Sequence, residues 1–101
     1  MTELEKYRDQ IDMIDKKLID LLAQRFIYSV RIGDIKRKQG ISVLQTGRWD
    51  DVLASRKKYA IKAGLSEKFT KEFLTLIHRE SIRIQDEISG SKGSDGNISS
   101  P

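Results

Sequence analysis

From Leu4 to Ile35 the chain carries an unbroken heptad: Leu4, Tyr7, Ile11, Ile14, Leu18, Leu21, Arg25, Tyr28, Ile32 and Ile35. The spacings alternate between three and four residues, so these side chains line one stripe of a single helix. Every member except Arg25 is apolar or aromatic. A guanidinium cannot lose its proton, and a cation in an apolar seam is costly unless an anion meets it. Either a carboxylate of the protein reaches Arg25, or the site is built for an anion that arrives from outside.

Capping signals bound this helix. Thr2 is an N-cap with Glu5 completing a capping box, and nothing interrupts the pattern until Gly40. Gly33 falls inside the helix at a cost of about 1 kcal/mol relative to Ala, which points to close packing there. From Glu3 to Gln39 the helix spans about 55 Å. A compact domain of this size has a radius of gyration of only about 13 Å. The helix therefore overhangs a monomeric globule, and the simplest cover for its seam is a second copy of itself.

The rest of the chain reads as two shorter helices. Thr46 caps a second helix to about Lys62, with Trp49, Val52, Leu53, Arg56 and Ala60 on its inner face. Gly64 ends it, and Ser66 caps a third helix whose stripe is Phe69, Phe73, Leu76, Ile77, Ile84 and Ile88. Strand signals are confined to Ile41–Leu44. The fold class is all-α, three helices per chain, one long and two shorter, in an intertwined homodimer. One domain covers residues 1–89, and the low-complexity run GSKGSDGNISSP, residues 90–101, reads as a disordered tail.

Composition excludes several function classes. The chain has 101 residues, enough for one core but not two. With no cysteine, disulfides and thiolate metal sites are out, and a cytoplasmic location fits. No apolar run approaches the roughly 20 residues of a membrane span. The N-terminal MTELEKYRDQ has no apolar core of a secretory signal. A single histidine, His78, argues against metal or triad catalysis, so no metal and no cofactor are expected. The net charge of +4 suits an anionic small molecule. The basic runs Lys36–Lys38 and Arg56–Lys58 are ordinary solvated faces, and no nucleic-acid partner is expected.

Helix phase sorts the polar residues. Lys36 lies close to three turns after Arg25 and projects from nearly the same face. Ser81 and Gln85 share a face of the third helix, and Gln45 and Arg48 straddle the start of the second. Arg8 is about 25 Å along the axis from Arg25, too far to share one small molecule within a chain. If two first helices pair antiparallel about a dyad near Asp15–Lys17, Arg8 of one lies level with Arg25 of the other. Each residue also has a plainer reading. Arg25 can set coiled-coil register, and Lys36 can be a solvated cation near a helix C-terminus. Ser81 can be a packing residue, Gln45 and Gln85 surface residues, and Arg48 a surface ion-pair partner. Arg8 can pair with Asp12 at i+4. Trp49 reads as core or pocket wall, and His78 as a partly exposed bystander. The set Arg8, Arg25, Lys36, Arg48, Ser81 and Gln85 offers four cations, two neutral hydrogen-bonders and no nucleophile. It implies a ligand with at least two negative charges.

The run Arg8-x-x-Ile11-Asp12-x-x-Asp15-x-x-Leu18-x-x-Leu21-Leu22-Ala23-x-Arg25 resembles the opening helix of the all-helical chorismate mutases. The V-x-I-G-x-x-K run from Val30 to Lys36, then Arg48, and finally Glu80-Ser81-x-x-x-Gln85 continue the resemblance, which covers about residues 4 to 88. It implies an intertwined dimer with two active sites, each using an arginine from the other subunit. It also implies the Claisen rearrangement of chorismate to prephenate, on the route to phenylalanine and tyrosine, without a cofactor. By the same resemblance Arg8 of the partner and Arg25 clamp the substrate carboxylates. Lys36 and Gln85 donate to the ether oxygen, and Ser81 and Arg48 position the ring carboxylate.

Two positions depart from the family pattern. Gln45 and Trp49 stand where many relatives carry acids that help hold the ring hydroxyl. The V-L-Q-x-x-R-W run, Val43 to Trp49, resembles mutase domains fused to 3-deoxy-arabino-heptulosonate 7-phosphate synthases, which implies such a fusion or association. Two alternatives stay open: an isochorismate-pyruvate lyase on the same fold, and a catalytically weak regulatory or dimerisation module.

Overall fold

The computed structural model describes residues 2–90, which form three helices: α1 (Glu3–Gln39), α2 (Thr46–Lys62) and α3 (Glu67–Gly90). No strand occurs among the described residues; Ile41–Leu44, the one strand-prone stretch, is irregular loop between α1 and α2. Four residues with no partner strand cannot satisfy their backbone groups as a sheet. The expected tail lies outside the described residues except for Gly90, which closes α3.

Local chemistry sets most boundaries as the sequence implies. Thr2 Oγ1 accepts from the Glu5 backbone N–H at 3.1 Å, and the Thr2 N–H donates back to Glu5 Oε1 at 3.0 Å. At the other end Gly40 adopts φ 69°, and the Ile41 N–H closes onto the Lys36 carbonyl at 2.8 Å. A side chain is strained at that φ, so glycine is the natural stop. Ser66 Oγ accepts from the Phe69 N–H at 3.1 Å and starts α3. Thr46, expected as the cap of α2, is instead its first helical residue. The N-cap is Gln45, whose side chain makes no capping hydrogen bond. Gln45 also lines the pocket described below.

Tertiary packing uses only part of this length. The C-terminal half of α1 lies on α3, and α3 also packs against α2. The α1–α3 contact is tightest at Gly33, where an added Cβ would sit 3.0 Å from Gln85 Cγ and 3.2 Å from Gln85 Cα. That near-contact explains the mid-helix glycine. The Lys57–Glu67 ion pair, 3.0 Å, joins α2 to the start of α3, but surface pairs contribute at most about 1 kcal/mol. Val52, Ala60 and Ile77 are the buried apolar side chains, a thin core.

The N-terminal half of α1 projects freely from this core. Every residue from 2 to 20 is exposed, and the principal extents are 57 × 28 × 18 Å. Tyr7, Ile11, Ile14, Leu18 and Leu21 leave 46 to 65% of their surface open. Each leaves on the order of 1 kcal/mol of apolar burial unrealised in the single chain.

Candidate functional site

The most polar part of the interior lies where α1 and α3 meet. Ser29, Ser81 and Gln85 are all buried there, at 5 to 8% exposure. Buried polar groups hold only if hydrogen-bonded, and these are. The Arg25 guanidinium donates to Ser81 Oγ at 3.1 Å. Ser81 and Ser29 share a 2.8 Å hydrogen bond, and Ser29 Oγ donates to the Arg25 carbonyl at 3.4 Å. With Ser81 accepting from Arg25, its hydroxyl proton is free to go to Ser29, so the donors run in one direction around a closed circuit. The circuit fixes one end of Arg25, and the rest of its fork meets no protein acceptor among the described residues.

Lys36 anchors the other end. Its Nζ donates to the Val43 carbonyl at 2.7 Å and to Gln85 Oε1 at 2.9 Å. An ammonium has three donors, so one remains. Because Gln85 Oε1 accepts from Lys36, the amide must present its NH2 elsewhere, and no protein acceptor takes it among the described residues. One charged N–H on Lys36 and the neutral NH2 of Gln85 are left without a protein partner among the described residues. The Val43 bond also ties the loop after α1 to the site.

These groups line a pocket of about 410 Å³ together with Tyr28, Gln45, Arg48, Trp49, Val52 and His78. That volume suits a small molecule. Of the residues singled out from sequence, Arg25, Lys36, Gln45, Arg48, Ser81 and Gln85 come together here; Arg8 does not. Arg8 sits on the projecting half of α1, and it makes no ion pair with Asp12, contrary to the plainer reading. Arg48 likewise has no ion-pair partner among the described residues. Gln85, read alone as a surface residue, is 5% exposed.

Ser29 and Ile82 line the pocket without being singled out by the sequence, and the contact of His78 is not foreseen there. Ser29 sits one turn after Arg25 and two turns before Lys36, a phase that could have revealed it. His78, partly exposed as expected, also lines the pocket, and its ring stacks on Trp49 with centroids 3.9 Å apart and planes 11° apart. Nothing in the local sequence signals that contact, because it joins α2 to α3.

The electrostatics are one-sided. Arg25, Lys36 and Arg48 line the pocket, and it contains no aspartate or glutamate among the described residues. Arg25 is held below the usual guanidinium range, chiefly by desolvation and then by repulsion from Arg56 and Arg48. Desolvation also lowers Lys36. His78 is pushed below its ordinary value by burial and then by the charges of Arg25 and Lys36. Depressed cations lacking a protein anion mark a site that gains from an incoming one.

A profile of the family described as chorismate mutase type II matches residues 7–86. The chain belongs to the chorismate mutase type II family. It is 34% identical over 87 residues to the T-protein of Enterobacter agglomerans, covering 86% of this chain but 23% of that protein. It is 32% identical over 84 residues to the 4-amino-4-deoxychorismate mutase of Streptomyces venezuelae, covering 83% of this chain and 82% of that protein. The chain thus spans under a quarter of the T-protein it matches and most of the second relative. The family match takes in each pocket residue named above and Arg8.

Proposed function

We propose that this chorismate mutase type II chain converts chorismate to prephenate by Claisen rearrangement, a step toward phenylalanine and tyrosine. The observation that carries the reading is the Lys36–Gln85 pair, whose remaining ammonium N–H and amide NH2 have no protein partner among the described residues and which lines a pocket rich in cations. The reaction is unimolecular. The ether C–O bond to the ring breaks while a C–C bond forms between the enolpyruvyl methylene and the ring carbon bearing the carboxylate. No proton moves. A catalyst must hold the diaxial conformer and stabilise negative charge growing on the ether oxygen. Lys36 and Gln85 suit that oxygen. The open fork of Arg25 suits a carboxylate, and Arg48 with Ser81 suits the ring carboxylate.

The second carboxylate clamp is Arg8 of a second copy. The 57 Å length and the exposed α1 stripe support an antiparallel pairing that brings Arg8 level with Arg25 of its partner. The functional unit on this reading is a cytoplasmic homodimer with two composite sites. An association with a 3-deoxy-arabino-heptulosonate 7-phosphate synthase rests on the Val43–Trp49 run alone.

The test is turnover of purified protein on chorismate, followed by loss of its absorbance, with prephenate as the sole product. Pyruvate release from isochorismate with no turnover of chorismate would overturn the reading in favour of a lyase. Unchanged turnover in Lys36→Ala would remove Lys36 from the mechanism.

A further inference from the structure

Ser81 has one hydroxyl proton and two claims on it. In the closed circuit that proton goes to Ser29 while Ser81 accepts from Arg25. A carboxylate of the substrate held by Ser81 needs the same proton. Arg25 cannot resolve the conflict, since a guanidinium only donates. Ser29 can. Its Oγ lies 2.8 Å from Ser81 Oγ, and either atom can be the donor. The other bond of Ser29, to the Arg25 carbonyl, is 3.4 Å long, well beyond the roughly 2.7–2.8 Å of a good hydroxyl bond. That carbonyl lies inside α1, where the helical pattern already gives it the Ser29 N–H. Turning the Ser29 proton from the carbonyl to Ser81 therefore gives up a weak bond and orphans no buried group. Ser81 then accepts from Arg25 and Ser29 together, and its own proton is free for the pocket that both serines line. Each hydroxyl keeps its proton, and only the O–H bonds rotate.

We propose that Ser29 is a positioning residue that reverses its donor direction when a substrate carboxylate arrives, so that Ser81 donates to the carboxylate without releasing Arg25. Two donors into one hydroxyl oxygen hold its rotamer and polarise its O–H, which makes it the stronger donor. Ser29 is 5% exposed and Ser81 8%, so water has little access to take over the role. The inference rests on the proposed rearrangement, because the carboxylate is that of its substrate.

The test is a double-mutant cycle in kcat/KM for chorismate across the parent, Ser29→Ala, Ser81→Ala and the double variant. Alanine is the best helix former, so the variants keep α1 and α3. Ser29→Ala is expected to lower kcat/KM by about three- to tenfold, mostly through KM, because a carboxylate contact is made in ground and transition state alike. In the Ser81→Ala background the same change should add less than about twofold, since Ser29 acts through Ser81. Ser29→Cys fills the space with a weak donor and should resemble Ser29→Ala. An undiminished effect in the Ser81→Ala background, or parent-like kinetics in Ser29→Ala or Ser29→Cys, overturns the inference. A parent that does not turn over chorismate sinks the rearrangement instead. The cycle is then read as chorismate affinity from the fluorescence of Trp49, the single tryptophan and a pocket wall. The same coupling supports the inference, and independent effects or no binding overturn it.

Discussion

Lys36 donates to Gln85 Oε1 at 2.9 Å across the α1–α3 contact, joining residues 49 apart in the chain. The bond does more than hold two helices together. It sets the orientation of the Gln85 amide and leaves the Gln85 NH2 and one Lys36 N–H for a ligand. Lys36→Ala is therefore expected to lower kcat on chorismate by about 10²–10³-fold with the helical fold retained. Steady-state kinetics alongside circular dichroism check this. Activity should also fall at alkaline pH as Lys36 deprotonates. Its value is depressed by desolvation, so the loss should be centred below the ordinary 10.5.

Gly33→Ala opposes two effects of known size. Alanine improves helix propensity by about 1 kcal/mol. Against that, its Cβ would meet the Gln85 backbone at 3.2 Å and its side chain at 3.0 Å. Backbone cannot give way as a side-chain tip does, and overpacking of this kind costs roughly 1–3 kcal/mol. The net expectation is destabilisation in chemical denaturation and a loss of kcat, since α3 moves Gln85 away from Lys36. Full activity together with raised stability would show that the helices separate without cost.

Complementation tests the composite site. Arg8→Ala and Arg25→Ala should each be nearly inactive alone. Mixed and allowed to exchange subunits, they form heterodimers in which one site has both arginines and the other has neither. About a quarter of the sites in a random mixture are then intact. Recovery of activity on mixing would show that Arg8 acts across the dimer; no recovery would place Arg8 outside the site. Leu18→Asp, in the exposed stripe, should shift the sedimentation coefficient toward the monomer and abolish turnover.

Stability should respond to His78 at acid pH. The ring lies against Trp49 of α2, and burial, then the charges of Arg25 and Lys36 of α1, hold its value below 6.5. The unfolded chain then binds more protons than the folded one as pH drops below the ordinary imidazole range. His78 therefore adds stability above about 6.5, and that stability is lost as pH falls through its lower folded value. His78→Phe keeps an aromatic face on Trp49 without titrating. Its denaturation midpoint should lose the His78 component of the decline between pH 7 and 5.

The caps and phases were legible in the sequence because they are local. Thr2 with Glu5, Gly40 and Ser66 bound helices through hydrogen bonds a few residues long. Three turns of helix put Arg25 and Lys36 on one face whatever the rest of the chain does. Gln45 taking the N-cap in place of Thr46 was less legible, since both residues sit at a loop–helix junction where the side chain can turn either way.

The sequence by itself determined three helices, a mid-helix glycine that needs a close neighbour, and a cation in an apolar seam without a sequence-adjacent anion. Only the tertiary structure decided what those features face. The Ser29–Ser81 bond joins residues 52 apart, and Trp49 meets His78 across two helices. Periodicity fixes the direction of a side chain about its own helix axis but not which helix it meets. Gly33 does that by letting α3 approach until Gln85 touches α1.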